Sequence, residues 1–108
     1  MPNSATPPKP IYPWLGYIRQ LTQEVLETYE EYIDGVFAHP EGNTVAIYAL
    51  TSNREDIHDL ALALGLLEVR IDQALSNYYE EVRVHPTPSW CLTEADKEAF
   101  TQGGLGLL

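Results

Sequence analysis

The chain has 108 residues, and its sixteen Asp and Glu against six Lys and Arg leave a formal charge of −10. At this size one core can bury most of the apolar surface without covalent staples, and a hydrophobic fraction of 44% is far from the composition of a disordered chain. The single cysteine, Cys91, excludes a disulfide scaffold, no run approaches the roughly 18 apolar residues of a membrane span, and an acidic field repels nucleic acid and anionic lipid while drawing in cationic partners. A soluble protein of the cytoplasm without membrane contact is expected, its acidity serving either a partner or solubility alone.

Five of the eight prolines lie within residues 1–13, so residues 1–12 are expected to form a flexible arm outside the core. From Pro13 to Ile33 the apolar residues Trp14, Leu15, Ile18, Leu21, Val25, Leu26, Tyr29, Tyr32 and Ile33 recur at helical spacing. They fall within an arc of roughly 140° at 100° per residue, which predicts one long amphipathic helix stopped by Asp34-Gly35. Val36–His39 and Thr44–Thr51 read as a hairpin through PEGN. Both alternating sets of TVAIYALT are apolar, which suits a strand covered on both sides.

Ser52 to Glu55, SNRE, has the pattern of a capping box. The stretch that follows, Leu60 to Leu75, has the skeleton Leu-Ala, two residues, Leu-Gly-Leu, four residues, Ile, then Ala-Leu. It resembles a helix-turn-helix, with a turn at Gly65 between two tightly packed helices. Leu60, Leu64, Leu66, Ile71 and Leu75 would pack such a pair, while Leu67, Glu68, Val69, Asp72, Gln73 and Ser76 would face outward. Val82–Val84 suggests a short strand and HPTPSW, His85–Trp90, a loop. Thr93 with Asp96 caps a short helix to about Thr101, and residues 103–108 are expected to be a flexible tail. The predicted fold is α+β, one domain over residues 13–102: long N-terminal amphipathic helix, β-hairpin, helix-turn-helix-like pair, short C-terminal helix.

Glu24, Glu27, Glu31 and Asp34 follow spacings of three, four and three, which on a continuous helix is one acidic row opposite the apolar arc. Glu30, Glu31 and Asp34 also sit in the last turn, at the negative end of the helix dipole, and the row invites a basic protein patch, although it equally suits a solvated face. Tyr12 and Trp90, beside proline-rich segments, are candidate interface anchors, whereas Trp14 suits the core. On the helix-turn-helix reading Arg70, Gln73, Ser76 and Asn77 could bond base edges, but the cations present fall short of the six to ten phosphate contacts of a strong binder.

Catalytic chemistry has little to stand on. His39, His58, His85 and Cys91 are the whole supply of soft metal ligands, with no CxxC or HExxH spacing among them. A Cys91 nucleophile served by His85 is conceivable, yet a lone cysteine between Trp90 and Leu92 reads as a small buried hydrophobe. No metal or cofactor is implied. These residues favour a non-catalytic regulatory or adaptor protein that binds another protein through a basic patch, with homodimer formation through hairpins or long helices. The alternative is a helix-turn-helix transcription regulator over residues 57–76, with nucleic acid the less favoured partner.

Overall fold

A computed structural model describes residues 12–52 and 58–108. The first helix, α1 (Leu15–Leu26), opens just after Pro13, where a missing N–H costs no helical bond. It buries Ile18, Leu21, Thr22 and Leu26, and the Thr22 hydroxyl donates back to the Ile18 carbonyl at 2.8 Å, so the buried polar group is satisfied. The predicted helix to Ile33 is cut short at Leu26. Glu27–Tyr32 winds instead as a 3-10 turn, because carboxylates crowd the negative end of the dipole and Thr28, Tyr29 and Tyr32 are weak helix formers.

Two strands follow, β1 (Ile33–Glu41) and β2 (Thr44–Thr51), paired antiparallel. The strands run further than the PEGN reading allowed: Pro40 and Glu41 belong to β1, and only Gly42-Asn43 turns the chain. Gly42 has φ of 60°, the conformation that a two-residue hairpin of type II′ asks of its first turn residue.

Helix α2 (His58–Ala74) then crosses to β3 (Glu81–Pro88), which lies parallel to β2. Parallel strands need such a crossover. The four-stranded sheet has the order β3-β2-β1-β4, with β4 only Leu105–Gly106. The expected loop HPTPSW is in part edge strand: Pro86 and Pro88 are tolerated in β3 because among the described residues it has a neighbour on one side only. The Val84 amide is covered from α2 by the Glu68 carboxylate at 2.9 Å.

Gly65 makes no turn. It sits inside α2, and the helix-turn-helix-like pair is one continuous helix of 17 residues. A glycine in mid-helix costs only about 1 kcal/mol relative to alanine, less than the packing of Leu60, Leu64, Leu67 and Ile71, all buried by one straight helix. The SNRE box before it falls largely on residues 53–57, outside the described residues, as do residues 1–11 of the proposed arm.

Helix α1 and helix α2 share one apolar cluster with Val36, Ala38, Val45, Ile47, Ala49 and Val82, which the strand registers place on one face of the sheet. The opposite face carries Phe37, His39, Ala46, Tyr48 and His85, and meets helix α3 (Glu94–Gly103) through Phe100. The Thr93 hydroxyl accepts from the Asp96 amide and the Asp96 carboxylate accepts from the Thr93 amide, the capping box read from sequence.

The expected tail is ordered. Gly106 and Leu105 pair with Phe37 and Ala38, the Leu107 amide donates to the Val36 carbonyl at 2.7 Å, and the Leu107 side chain is buried. Arg19 reaches across from α1 to donate to the Gly106 carbonyl at 2.8 Å. No described helix is long and apolar enough to cross a membrane.

Candidate interaction surface

Helix α2 is apolar on two opposite faces. Leu60, Leu64, Leu67 and Ile71 are buried against the sheet, while Leu62 (62% exposed), Leu66 (48%) and Val69 (53%) stand in solvent. At 100° per residue these last three fall within about 60° of one another, opposite the buried set. The face that an amphipathic surface helix ordinarily gives to polar residues is thus partly apolar in α2. The register implied by a turn at Gly65 had Leu66 inside and Leu67 outside; continuity of the helix reverses the two.

The stripe borders an open groove of about 480 Å3 between α2 and α1, walled by Asp59, Leu62, Ala63, Leu66 and Arg70 on one side and by Glu24, Val25 and Tyr29 on the other. Its charged rim is uncompensated locally: among the described residues neither Asp59 nor Arg70 makes an ion pair. Among the described residues Glu24 accepts from Gln20 on its own helix, at 3.3 Å.

The acidic row exists in pieces. Glu24 lies in the last turn of α1, Glu27 and Glu31 lie in the 3-10 turn, and Asp34 is in β1, so the four do not share one helix face. Glu27, Glu30 and Glu31 remain exposed. Asp34 is engaged internally: a register shift between Ile33 and Gly35 turns its carboxylate toward Ser52 Oγ at 2.9 Å and Ser89 Oγ at 2.5 Å. Ser89 Oγ also lies 2.8 Å from the Thr51 carbonyl, so this carboxylate clasps the ends of β1 and β2 and the turn after β3 together.

The aromatic anchors separate. Tyr12 is half-buried with its ring 5.2 Å from that of Trp14, and Trp14 meets Tyr79 edge-on at 5.9 Å. Burial pushes the Tyr79 phenol up, opposed by a hydrogen bond with Trp14. Trp14 is core, as read from sequence. Trp90 stands exposed beside Pro86, Leu60 and Leu64. Cys91 is exposed rather than the buried hydrophobe expected, because the 3-10 turn Ser89–Cys91 buries Ser89 in its place. His85 lies apart from it in β3, its ring stacked on Tyr48 at 5.3 Å.

On the far side of the sheet, Tyr48 stands between His39 and His85 and is capped by Phe100 at 4.8 Å. His39 Nε2 is buried with no hydrogen-bond partner among the described residues, and burial lowers its pKa below the ordinary 6.5. An open recess of about 330 Å3 adjoins this ring cluster, with Glu41 and Asp96 at its edge. Among the described residues no three His, Cys, Asp or Glu side chains are placed to hold a metal ion.

The residues offered for base contact lie among carboxylates. Arg70 shares the groove with Glu24 and Asp59. Gln73 borders a recess with Glu68, Asp72, Glu80 and Glu81, the Ser76 hydroxyl donates to the Gln73 carbonyl at 3.0 Å, and Asn77 is exposed in the turn that follows. Arg83 is raised in pKa mainly by its hydrogen bond to Glu81, 3.2 Å away. No protein-family model matches the chain, and no curated protein or solved structure is similar to it at a level that would show kinship.

The stripe that matters here, Leu62-Leu66-Val69, was open to detection in the sequence. Its signal was apolar residues at i, i+4 and i+7 in addition to the set at 60, 64, 67 and 71, and assigning a turn to Gly65 concealed it.

Proposed function

We propose that the protein is a non-catalytic regulatory or adaptor protein of the cytoplasm that works by protein–protein contact. Its docking surface is the outer face of α2 with the adjoining groove, and the carboxylates of Glu24, Glu27 and Glu31 receive a basic patch on the bound protein. The observation carrying this reading is the exposed run Leu62, Leu66 and Val69, set opposite an already buried face of the same helix. Apolar side chains rimmed by charge are the composition of an interface centre and its border.

Nucleic acid fits this surface poorly. Of the four described cations, Arg83 is paired with Glu81, Lys97 lies 3.6 Å from Glu94, and Arg19 is bound to a backbone carbonyl. Arg70 stands among carboxylates. A phosphate backbone needs several converging cations.

The test is affinity capture from lysate of the source cells across a salt series, using wild-type protein, Leu66→Glu, and the triple reversal Glu24→Lys/Glu27→Lys/Glu31→Lys. A protein retained by wild type, lost with rising salt and lost in either variant is the expected result. Capture indifferent to both variants, or retardation of DNA that relaxes steeply with salt, overturns the reading.

A further inference from the structure

We infer that the outer face of α2 pairs with the same face of a second copy of this chain, the two helices antiparallel about a two-fold axis. The inference rests on the reading of that face as a docking surface and names its occupant. What identifies the occupant is the order of side chains along the groove side of the helix. Asp59, Ala63, Leu66 and Arg70 follow spacings of four, three and four, and all four wall the groove.

That series is complementary to its own reverse. Laid antiparallel with the axis passing between Leu64 and Gly65, Asp59 of one copy meets Arg70 of the other, and Ala63 of one meets Leu66 of the other, at both ends alike. The arrangement is isologous, as a two-fold interface requires. A large side chain falls opposite a small one, which is how ridges fill grooves between helices. Asp59 and Arg70, in no ion pair among the described residues, each meet an opposite charge.

Leu62 and Val69, exposed beside this series, extend the apolar seam on its other flank. Glu24, on the α1 wall of the same groove, adds a further carboxylate to the surface that the incoming guanidinium meets. Antiparallel placement also sets the two helix dipoles in opposition. A heterologous partner would satisfy the stripe, but it would not call for a charge order that reads as its own complement. The acidic turn Glu27–Glu31 lies outside this series and stays open to a basic partner.

The test is the mass of the full chain by sedimentation equilibrium over a range of micromolar concentrations, with far-UV circular dichroism to confirm that each variant is folded. Wild type is expected to be a dimer and Leu66→Glu a monomer. Asp59→Arg and Arg70→Asp, each of which sets like charges face to face, should raise the dimer dissociation constant at least about tenfold. The double variant Asp59→Arg/Arg70→Asp restores the pairing in reversed polarity and should return to within about threefold of wild type.

A wild-type chain monomeric at every concentration, a dimer indifferent to Leu66→Glu, or a double variant no better than the single ones overturns the self-pairing. If the chain is monomeric and capture of another protein still depends on Leu66, self-pairing fails while the docking surface stands and belongs to that protein. A dimer that depends on Leu66, joined to capture that ignores both Leu66 and the acidic triad, has the opposite meaning: self-pairing holds and the adaptor reading fails.

Discussion

The two sides of the sheet are built from different materials. On one, α1 and α2 seal an aliphatic layer in which Ile18, Leu26, Ile47, Leu67 and Ile71 are completely buried. On the other, helix α3 has no buried residue of its own and is held by its capping box, by Phe100 against Tyr48 and His39, and by the two residues of β4. Burial of aliphatic side chains supplies most of the stability of a small domain. The outer layer, with less of it, should therefore open before the sealed side. The sealed side also has a surplus, because α2 retains apolar side chains after its core face is filled.

Substitutions can break this contrast in order of size. Ile47→Ala, at a fully buried central strand position, should cost about 2–5 kcal/mol by urea denaturation and speed amide exchange everywhere at once. Gly104→Ala should cost about 1–3 kcal/mol, with faster exchange confined to α3 and β4. A Cβ there would lie 2.8 Å from the Phe100 carbonyl, 2.9 Å from Phe37 Cβ and 2.6 Å from His39 Nε2. If exchange rises equally on both sides of the sheet, the two layers are one unit.

Gly65→Ala runs the other way. Its Cβ would meet nothing within 4 Å, so the melting temperature should rise, with a gain of up to about 1 kcal/mol from the alanine's helix preference. A turn at Gly65 would make the same change destabilising, and thermal melting separates the two.

The smallest effect is on pH dependence. His39 has a folded pKa below 6.5 because its ring is buried, so the folded state binds its proton more weakly than the unfolded chain does. The corresponding stability is complete above 6.5 and is lost as the pH falls below that value and through the lowered one. His39 should contribute a loss of stability between pH 7 and 5, and His39→Leu should remove that contribution from the slope. An unchanged slope in the variant would assign the pH dependence to other groups.

Local signals in the chain were enough for its α+β class, for the hairpin with its turn before Thr44, for the start of α1 near Pro13, for Trp14 in the core and for the Thr93–Asp96 cap. Each depends on side chains within a few residues of one another, where periodicity and capping chemistry operate. The errors share a different origin. Gly65 permits a turn but does not require one, and only the long apolar face of the sheet, requiring Leu60 through Ile71 on one line, selects the unbroken helix. Pro86 and Pro88 rule out a central strand but not an edge, and strand order is a property of the whole sheet. The GGLGLL tail carries no pattern of its own, and it is ordered by β1 and Arg19, more than sixty residues away in sequence.

The acidic row shows the same division. Its spacing is a fact of the chain, yet whether its members share a face depended on where α1 gave way to the 3-10 turn and on Asp34 falling in β1, where Ser52 and Ser89 donate to it. Composition and short-range pattern thus determined which elements could form and how much charge they carry. Which face of α2 is left over was decided only when distant segments competed for the same sheet.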